Sequence, residues 1–379
     1  MLNLDMLPGK TKELKNTELN EYVDNKKKNK KILRYMVNLE NKIDNEIRYL
    51  YDDQLDYVDL TGWKFSPSER MASCMNYWDS DIYNESKVIN ITRVSRCKCK
   101  FCVNCKNYEV AKNLAKVSPI VMELSKKYIP FLLTLTIPNV SKELYRETVI
   151  KLCKKFQKVI ELFSSNINSW YAYKERKFDI VGAIRALETT TNKKDETYHP
   201  HIHALIFIDT DNLKQFDKTN RGEYNTKTRS YNMISDADIE IRKIWTRLYN
   251  DIDRRQQDFD MNSYMCDIRP IDTGDIKGIL EVLKYAFKTR DITSYDVFET
   301  LYNGTYKRRL KQGYGLLYNL KFEERDDSAH MQSLLFQELP EHEKINLNDL
   351  VSKYGEYTKV TNFQSIKDVL EYIKPMLDD

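Results

Sequence analysis

The chain has 379 residues, with 61 Lys and Arg against 57 Asp and Glu, 26 Tyr, and only 10 Gly and 9 Pro. No apolar run approaches the ~20 residues that a membrane-spanning helix needs, and Met1-Leu-Asn-Leu-Asp5 lacks the basic-then-apolar order of a secretory signal, so a soluble cytoplasmic protein without a membrane partner is expected. The net charge of +4 hides an asymmetry: from Asp326 onward five Lys face eleven Asp and Glu, a net of −6, which leaves the first 325 residues at +10 and suits a polyanionic partner.

Residues 1–69 read as a polar, helical extension. A lysine run (Lys26, Lys27, Lys28, Lys30, Lys31) leads into a helix over about Ile32 to Tyr51. Pro8-Gly9-Lys10-Thr11 imitates the end of a phosphate loop, but Leu4 stands where the first glycine is required and no strand precedes it. Residues 70–128 form a cysteine-rich segment holding five of the seven cysteines. Disulfides are rare in the cytosol, so a metal explains the crowding better. Cys102-x-x-Cys105 has the spacing of a zinc knuckle, and tetrahedral thiolate sites take four ligands. Cys97 or Cys99 supplies a third, and Cys74 or the other of that pair the fourth. Cys153 and Cys266, in apolar surroundings, read as inert core residues.

A helix over about Asn107 to Lys127 follows, then a strand from Pro130 to Ile137 and a helix from Lys142 to Phe163. Strands are expected from Phe178 to Glu188 and from His201 to Ile208, with a polar loop from Asp209 to Asn232. Ser235-Asp-Ala-Asp238 resembles a capping box opening the next helix. A short strand (Met265 to Arg269) leads to a helix near Asp275 to Lys288. This order predicts an α+β domain over 129–325, with one largely antiparallel sheet and helices on one face, followed by an acidic, helical accessory tail over 326–379.

Three of the five histidines are His199, His201 and His203. Strand side chains alternate, so His201 and His203 share a face while Ile202, Ala204, Ile206 and Ile208 take the other. Two adjacent imidazoles are half of a metal site, and a carboxylate must come from a neighbouring strand. Glu188 is the candidate, because a glutamate in an apolar strand is costly to bury unless paired or ligating. His199 is a supporting residue or a DNA contact. In the helix near residue 280, Ile276, Ile279, Leu280, Leu283 and Phe287 define the buried stripe. Tyr285 falls opposite that stripe with Glu281 one turn earlier and Lys284 and Lys288 beside them. A hard cation (Mg²⁺ or Mn²⁺) on the histidines would let Tyr285 attack phosphorus, Glu281 activate a water, and the lysines offset developing charge. Tyr264, Tyr295 and Tyr314 are the fallback nucleophiles.

Phe131-Leu-Leu-Thr-Leu-Thr136, His199-Pro-His-Ile-His203 and Glu281-Val-Leu-Lys-Tyr285, in this order, resemble the plasmid rolling-circle replication initiators of Gram-positive bacteria, within the HUH endonuclease superfamily. The likeness is to the branch with one Tyr and a nearby Glu. It extends to Arg185-Ala-Leu-Glu188, Asp267-Ile-Arg-Pro270, Tyr314-Gly315 and the pattern Cys74…Cys97-x₄-Cys102-x₂-Cys105, over roughly residues 70 to 320. Cys99 is an additional cysteine and Val103-Asn104 departs from the family's pattern. The resemblance implies the HUH fold, His201 and His203 on the divalent metal, Tyr285 as nicking nucleophile and Glu281 as activator of water at termination. It also implies origin DNA as substrate and a host helicase as partner, while structural zinc is the expectation from the cysteine spacing itself. A relaxase or transposase of the same superfamily, and a zinc-stabilised DNA-binding regulator without catalysis, are the competing readings.

Overall fold

In the computed structural model of the chain, the structure describes residues 16–50, 66–72, 74, 78–83, 88–94, 96–164, 178–226, 229–253, 255–256, 258–261, 264–271, 279, 282–283, 287–320, 337–338 and 357–363. The chain divides into two compact units, one of residues 1–115 and 325–379, the other of residues 116–324.

The first unit holds α1 (Asn16–Leu50), α2 (Pro67–Ala72), β1 (Trp78–Tyr83), β2 (Val88–Val94) and the start of α3 (Val103–Leu124). Helix α1 begins well before the expected Ile32. Asn25, Asn29, Ile32, Met36 and Leu39 recur every three or four residues and are all buried. Strands β1 and β2 lie between Cys74 and Cys97, where no strand is expected from the sequence. From the C-terminal segment come β10 (Gln337–Glu338) and β11 (Tyr357–Phe363), giving an antiparallel sheet in the order β10-β2-β1-β11. The tail is expected to be helical, but its described residues are strands. Tyr357, Thr358, Val360, Thr361 and Phe363 are residue types that favour a strand, and β11 pairs with β1.

The second unit is built on a five-stranded antiparallel sheet, order β8-β3-β5-β4-β9. In chain order it comprises β3 (Ile129–Leu135), α4 (Lys142–Phe163), β4 (Asp179–Asn192), β5 (Thr197–Asp209), an outlying hairpin of β6 (Asn220–Asn225) and β7 (Ser230–Ile234), α5 (Asp236–Tyr249), β8 (Cys266–Pro270), α6 (Tyr295–Thr305) and β9 (Lys311–Gly315). Phe131, Leu133, Ile202, Ala204, Ile206, Ala183 and Leu187 share one face by register and are buried. Against that face pack Tyr145, Val149, Leu152, Phe156 and Ile160 of α4, which is flanked by α5 and α6. Ser235 caps α5 with the full reciprocal box to Asp238. The expected loop from Asp209 to Asn232 contains strand β6 instead. A two-stranded ribbon with no buried side chain carries no apolar alternation by which to read it.

Leu132, Ile184, Leu205 and Phe207 point to the opposite face and are buried too, so both faces of the sheet are covered there. Of the expected helix near Asp275 to Lys288, Ile279, Val282 and Leu283 are described; they are helical and buried. Phe287 and Lys288 are no longer helical. Lys288 is extended (φ −85°, ψ 129°), so it does not extend the helical face as the periodicity predicts.

Candidate functional site

The long β4–β5 hairpin brings Glu188 directly opposite His201 and Ala186 opposite His203. Paired residues of an antiparallel ladder point to the same side. Glu188, His201 and His203 therefore converge, their donor atoms all within 4.8 Å of one another. Glu188 Oε2 lies 3.4 Å from His203 Nε2 and 3.8 Å from His201 Nε2. Octahedral ligands at about 2.1 Å from a small divalent ion stand roughly 3 Å apart, so the opening is near the size such an ion requires.

Both imidazoles are held from behind. His201 Nδ1 donates to the His199 carbonyl at 3.0 Å, which leaves Nε2 with its lone pair toward Glu188. His203 Nδ1 lies 3.0 Å from Thr134 Oγ1, across the β3–β5 ladder. Thr134 is a positioning residue to which the sequence reading assigned no role. The signal was available, since Thr134 and Thr136 alternate with apolar residues in Phe131–Ile137 and so share the polar face. His199 stacks on His201 (ring centroids 5.2 Å apart) but stands outside the three-ligand group.

Lys288 Nζ reaches Glu188 Oε1 at 2.9 Å. Burial alone would raise the Glu188 carboxyl, but the hydrogen bonds from His203 and Lys288 and the charges of His201 and Lys288 overcome it and hold the group at about 2. Burial lowers His201 to about 4, so the imidazole is neutral at pH 7 and fit to bind a metal. The bond to Glu188 raises Lys288. Glu188 is thus ionised and His201 neutral at pH 7, the states in which each can ligate a hard divalent ion. Tyr285 and Glu281 lie outside the described residues, as do Ile276, Leu280 and Lys284. Of the fallback tyrosines, Tyr314 accepts Arg185 Nε at 3.2 Å on the helix-covered face, Tyr264 donates to Asn250 at 2.7 Å, and Tyr295 opens α6.

In the first unit, Cys74, Cys97, Cys102 and Cys105 form a second group, all four buried. Sγ–Sγ distances are 3.6 Å for Cys74–Cys102, 3.7 Å for Cys74–Cys105 and 3.6 Å for Cys97–Cys105. Disulfide sulfurs stand about 2.05 Å apart. A tetrahedral zinc site with Zn–S near 2.3 Å has edges of about 3.8 Å, so the spacing fits a shared ion. The neighbouring Cys102 and Cys105 thiols push Cys74 well up, and burial does the same for Cys97. Thiolates there need a cation. Cys99 is not in the group. Its sulfur faces Met36 Sδ at 4.0 Å, and its backbone N–H donates to Cys97 Sγ at 3.4 Å.

Comparison with known proteins places these features in context. A family model described as "Replication protein" matches residues 88–359. A "Protein rep" from Bacillus amyloliquefaciens is 25% identical over 232 residues, 59% of this chain and 61% of that protein. One from Streptococcus pneumoniae serotype 2 is 27% identical over 266 residues, 68% and 71% of the two chains. A third, from Staphylococcus aureus, is 31% identical over 121 residues, 31% and 47%. The match therefore spans about three fifths of the Bacillus amyloliquefaciens relative. No solved structure matches the chain.

Proposed function

Because this chain belongs to the replication-protein family, we propose that it is a plasmid rolling-circle replication initiator that nicks origin DNA and joins itself to the 5′ phosphate through Tyr285. One observation carries the reading: Lys288 reaches into the Glu188–His201–His203 group. In the sequence Lys288 follows Tyr285 by three residues, so the lysine that meets Glu188 belongs to the Glu281–Lys288 stretch that carries the proposed nucleophile.

Glu188, His201 and His203 would hold Mg²⁺ or Mn²⁺, which when bound polarises a phosphate oxygen and stabilises the leaving oxygen. Tyr285 Oη attacks phosphorus and the bond from phosphorus to the 3′ oxygen breaks. The proton lost by the phenol is balanced by the one gained at the departing 3′-OH. Lys288 offsets the charge that develops on the phosphate oxygens. At termination Glu281 takes a proton from water, which hydrolyses the phosphotyrosine and frees the enzyme. The His199 carbonyl keeps His201 in the tautomer this needs, and Thr134 holds the His203 ring in place. The four cysteines serve a structural zinc ion. The substrate is origin DNA, duplex around the site and single-stranded at the nick, and a host helicase acts with the protein to unwind the strand.

The test is incubation of the full chain with Mn²⁺ and supercoiled plasmid carrying its origin. Nicked circles with protein on the 5′ end are expected, and the DNA-linked peptide should contain Tyr285. Tyr285→Phe should lose the adduct while still shifting the DNA in a gel, and Glu281→Gln should nick but release slowly. An intact plasmid in a shifted complex would favour a non-catalytic regulator instead.

A further inference from the structure

The hairpin of β6 and β7 stands outside the five-stranded sheet and pairs only with itself. None of its described side chains is buried. Arg221 pairs with Met233 and Tyr224 with Tyr231, with an irregularity at residues 222–223 between them. The bulge keeps all four side chains on one face. On that face the two tyrosine rings meet edge to face at 5.2 Å, and the Arg221 guanidinium lies 5.4 Å from the Tyr231 ring centre. Tyr224 is 52% exposed and Tyr231 50%. Half-exposed aromatic rings backed by a cation are an unusual use of surface in a ribbon that has no core to fill. On the described ribbon two arginines, Arg221 and Arg229, stand against one carboxylate, Glu223. Arg229 stands at the tip, and the carboxylate of Glu223 is taken by Arg242 at 2.9 Å.

The root of the ribbon is fixed beside the candidate active site. Lys218, two residues before β6, is ion-paired to Asp267 at 3.1 Å and also to Asp238. Asp267 pairs with Thr134, and Thr134 with His203. Adjacent strands lie about 4.8 Å apart, so this anchor stands roughly 10 Å from His203 across the sheet.

We propose that the β6–β7 ribbon grips single-stranded DNA next to the nick, with Tyr224 and Tyr231 stacking on unpaired bases and Arg221 and Arg229 meeting the backbone. This rests on the reading of the chain as a DNA-processing protein. Stacking on aromatic rings is the usual way to hold bases that have left the duplex, and arginine adds to it through phosphate and ring contacts.

The test uses the full chain, without divalent metal, and two fluorescein-labelled probes: a mixed-sequence 30-mer single strand and the corresponding duplex. Anisotropy should show Tyr224→Ala/Tyr231→Ala binding the single strand at least tenfold more weakly, with the duplex affected less. Tyr224→Phe/Tyr231→Phe, which keeps both rings, should restore single-strand affinity. Arg221→Ala/Arg229→Ala should flatten the dependence of affinity on salt. Unchanged melting by circular dichroism guards against misfolding. Equal single-strand affinity in the Ala pair, a loss confined to duplex, or a wild-type protein that binds neither probe would each overturn the assignment. Nicking is scored separately, so a chain whose tyrosines govern binding but which never cleaves would refute the nuclease reading and leave this one standing.

Discussion

Burial keeps His201 neutral, and the contacts from His203 and Lys288 keep Glu188 ionised against its burial; both shifts act on stability in the same direction. His201 is held near 4 in the folded chain against an ordinary 6.5. As pH falls through that window the unfolded chain takes up a proton that the folded one refuses, so stability drops. Glu188, held near 2 against 4.5, keeps its contribution above pH 4.5 and loses it as pH falls toward 2. Metal-free protein should therefore lose stability from pH 7 to pH 4, and His201→Gln should remove roughly 2–3 kcal/mol of that loss. Urea unfolding at pH 7 and pH 4.5 measures it; an unchanged pH slope in His201→Gln would count against the burial account.

Among the elements, α4 and the β4–β5 hairpin do most to build the sheet unit. Phe156 of α4 is fully buried and meets Tyr314 of β9 edge-on at 5.5 Å, on the face away from the histidines. Phe156→Ala should cost about 3–5 kcal/mol by denaturant unfolding while leaving Mn²⁺ affinity of the folded protein nearly unchanged. Helix α4 was legible to the residue because its apolar positions keep a 3.6 period between a polar start and Phe163. The hairpin was legible only in part. Its strands were expected to end at Glu188 and begin at His201, but they run on through Thr189–Asn192 and Thr197–Pro200. Turn length sets register, and the turn over residues 193–196 becomes visible only once those strand ends are known. The opposition of Glu188 and His201 was thus a guess about neighbours that the ladder supplies. The ribbon β6–β7 escaped because it has no apolar alternation, whereas Val88-Ile-Asn-Ile-Thr-Arg-Val94 of β2 carries a strand-favouring composition that could have revealed it.

For the whole molecule, the two units carry separate candidate metal groups, one of thiols and one of imidazoles and a carboxylate. Among the described residues no helix is long and apolar enough to cross a membrane. A four-thiolate zinc site contributes on the order of 10 kcal/mol to folding. Cys102→Ser should therefore cut bound zinc and lower the calorimetric transition of the first unit, with the sheet unit still melting near its original temperature. Normal zinc content in that variant would dismiss the site. One contact also changes how the N-terminal segment should be regarded. The Asn29 amide donates to Cys102 Sγ at 3.2 Å and accepts Val103 N–H at 2.9 Å. A version of the protein trimmed to begin after residue 50 would strip a sulfur and the first amide of α3 of the group that serves both. The lysine-rich N-terminal extension is part of the wall around the cysteines, and shortening the gene at its 5′ end would be felt there first.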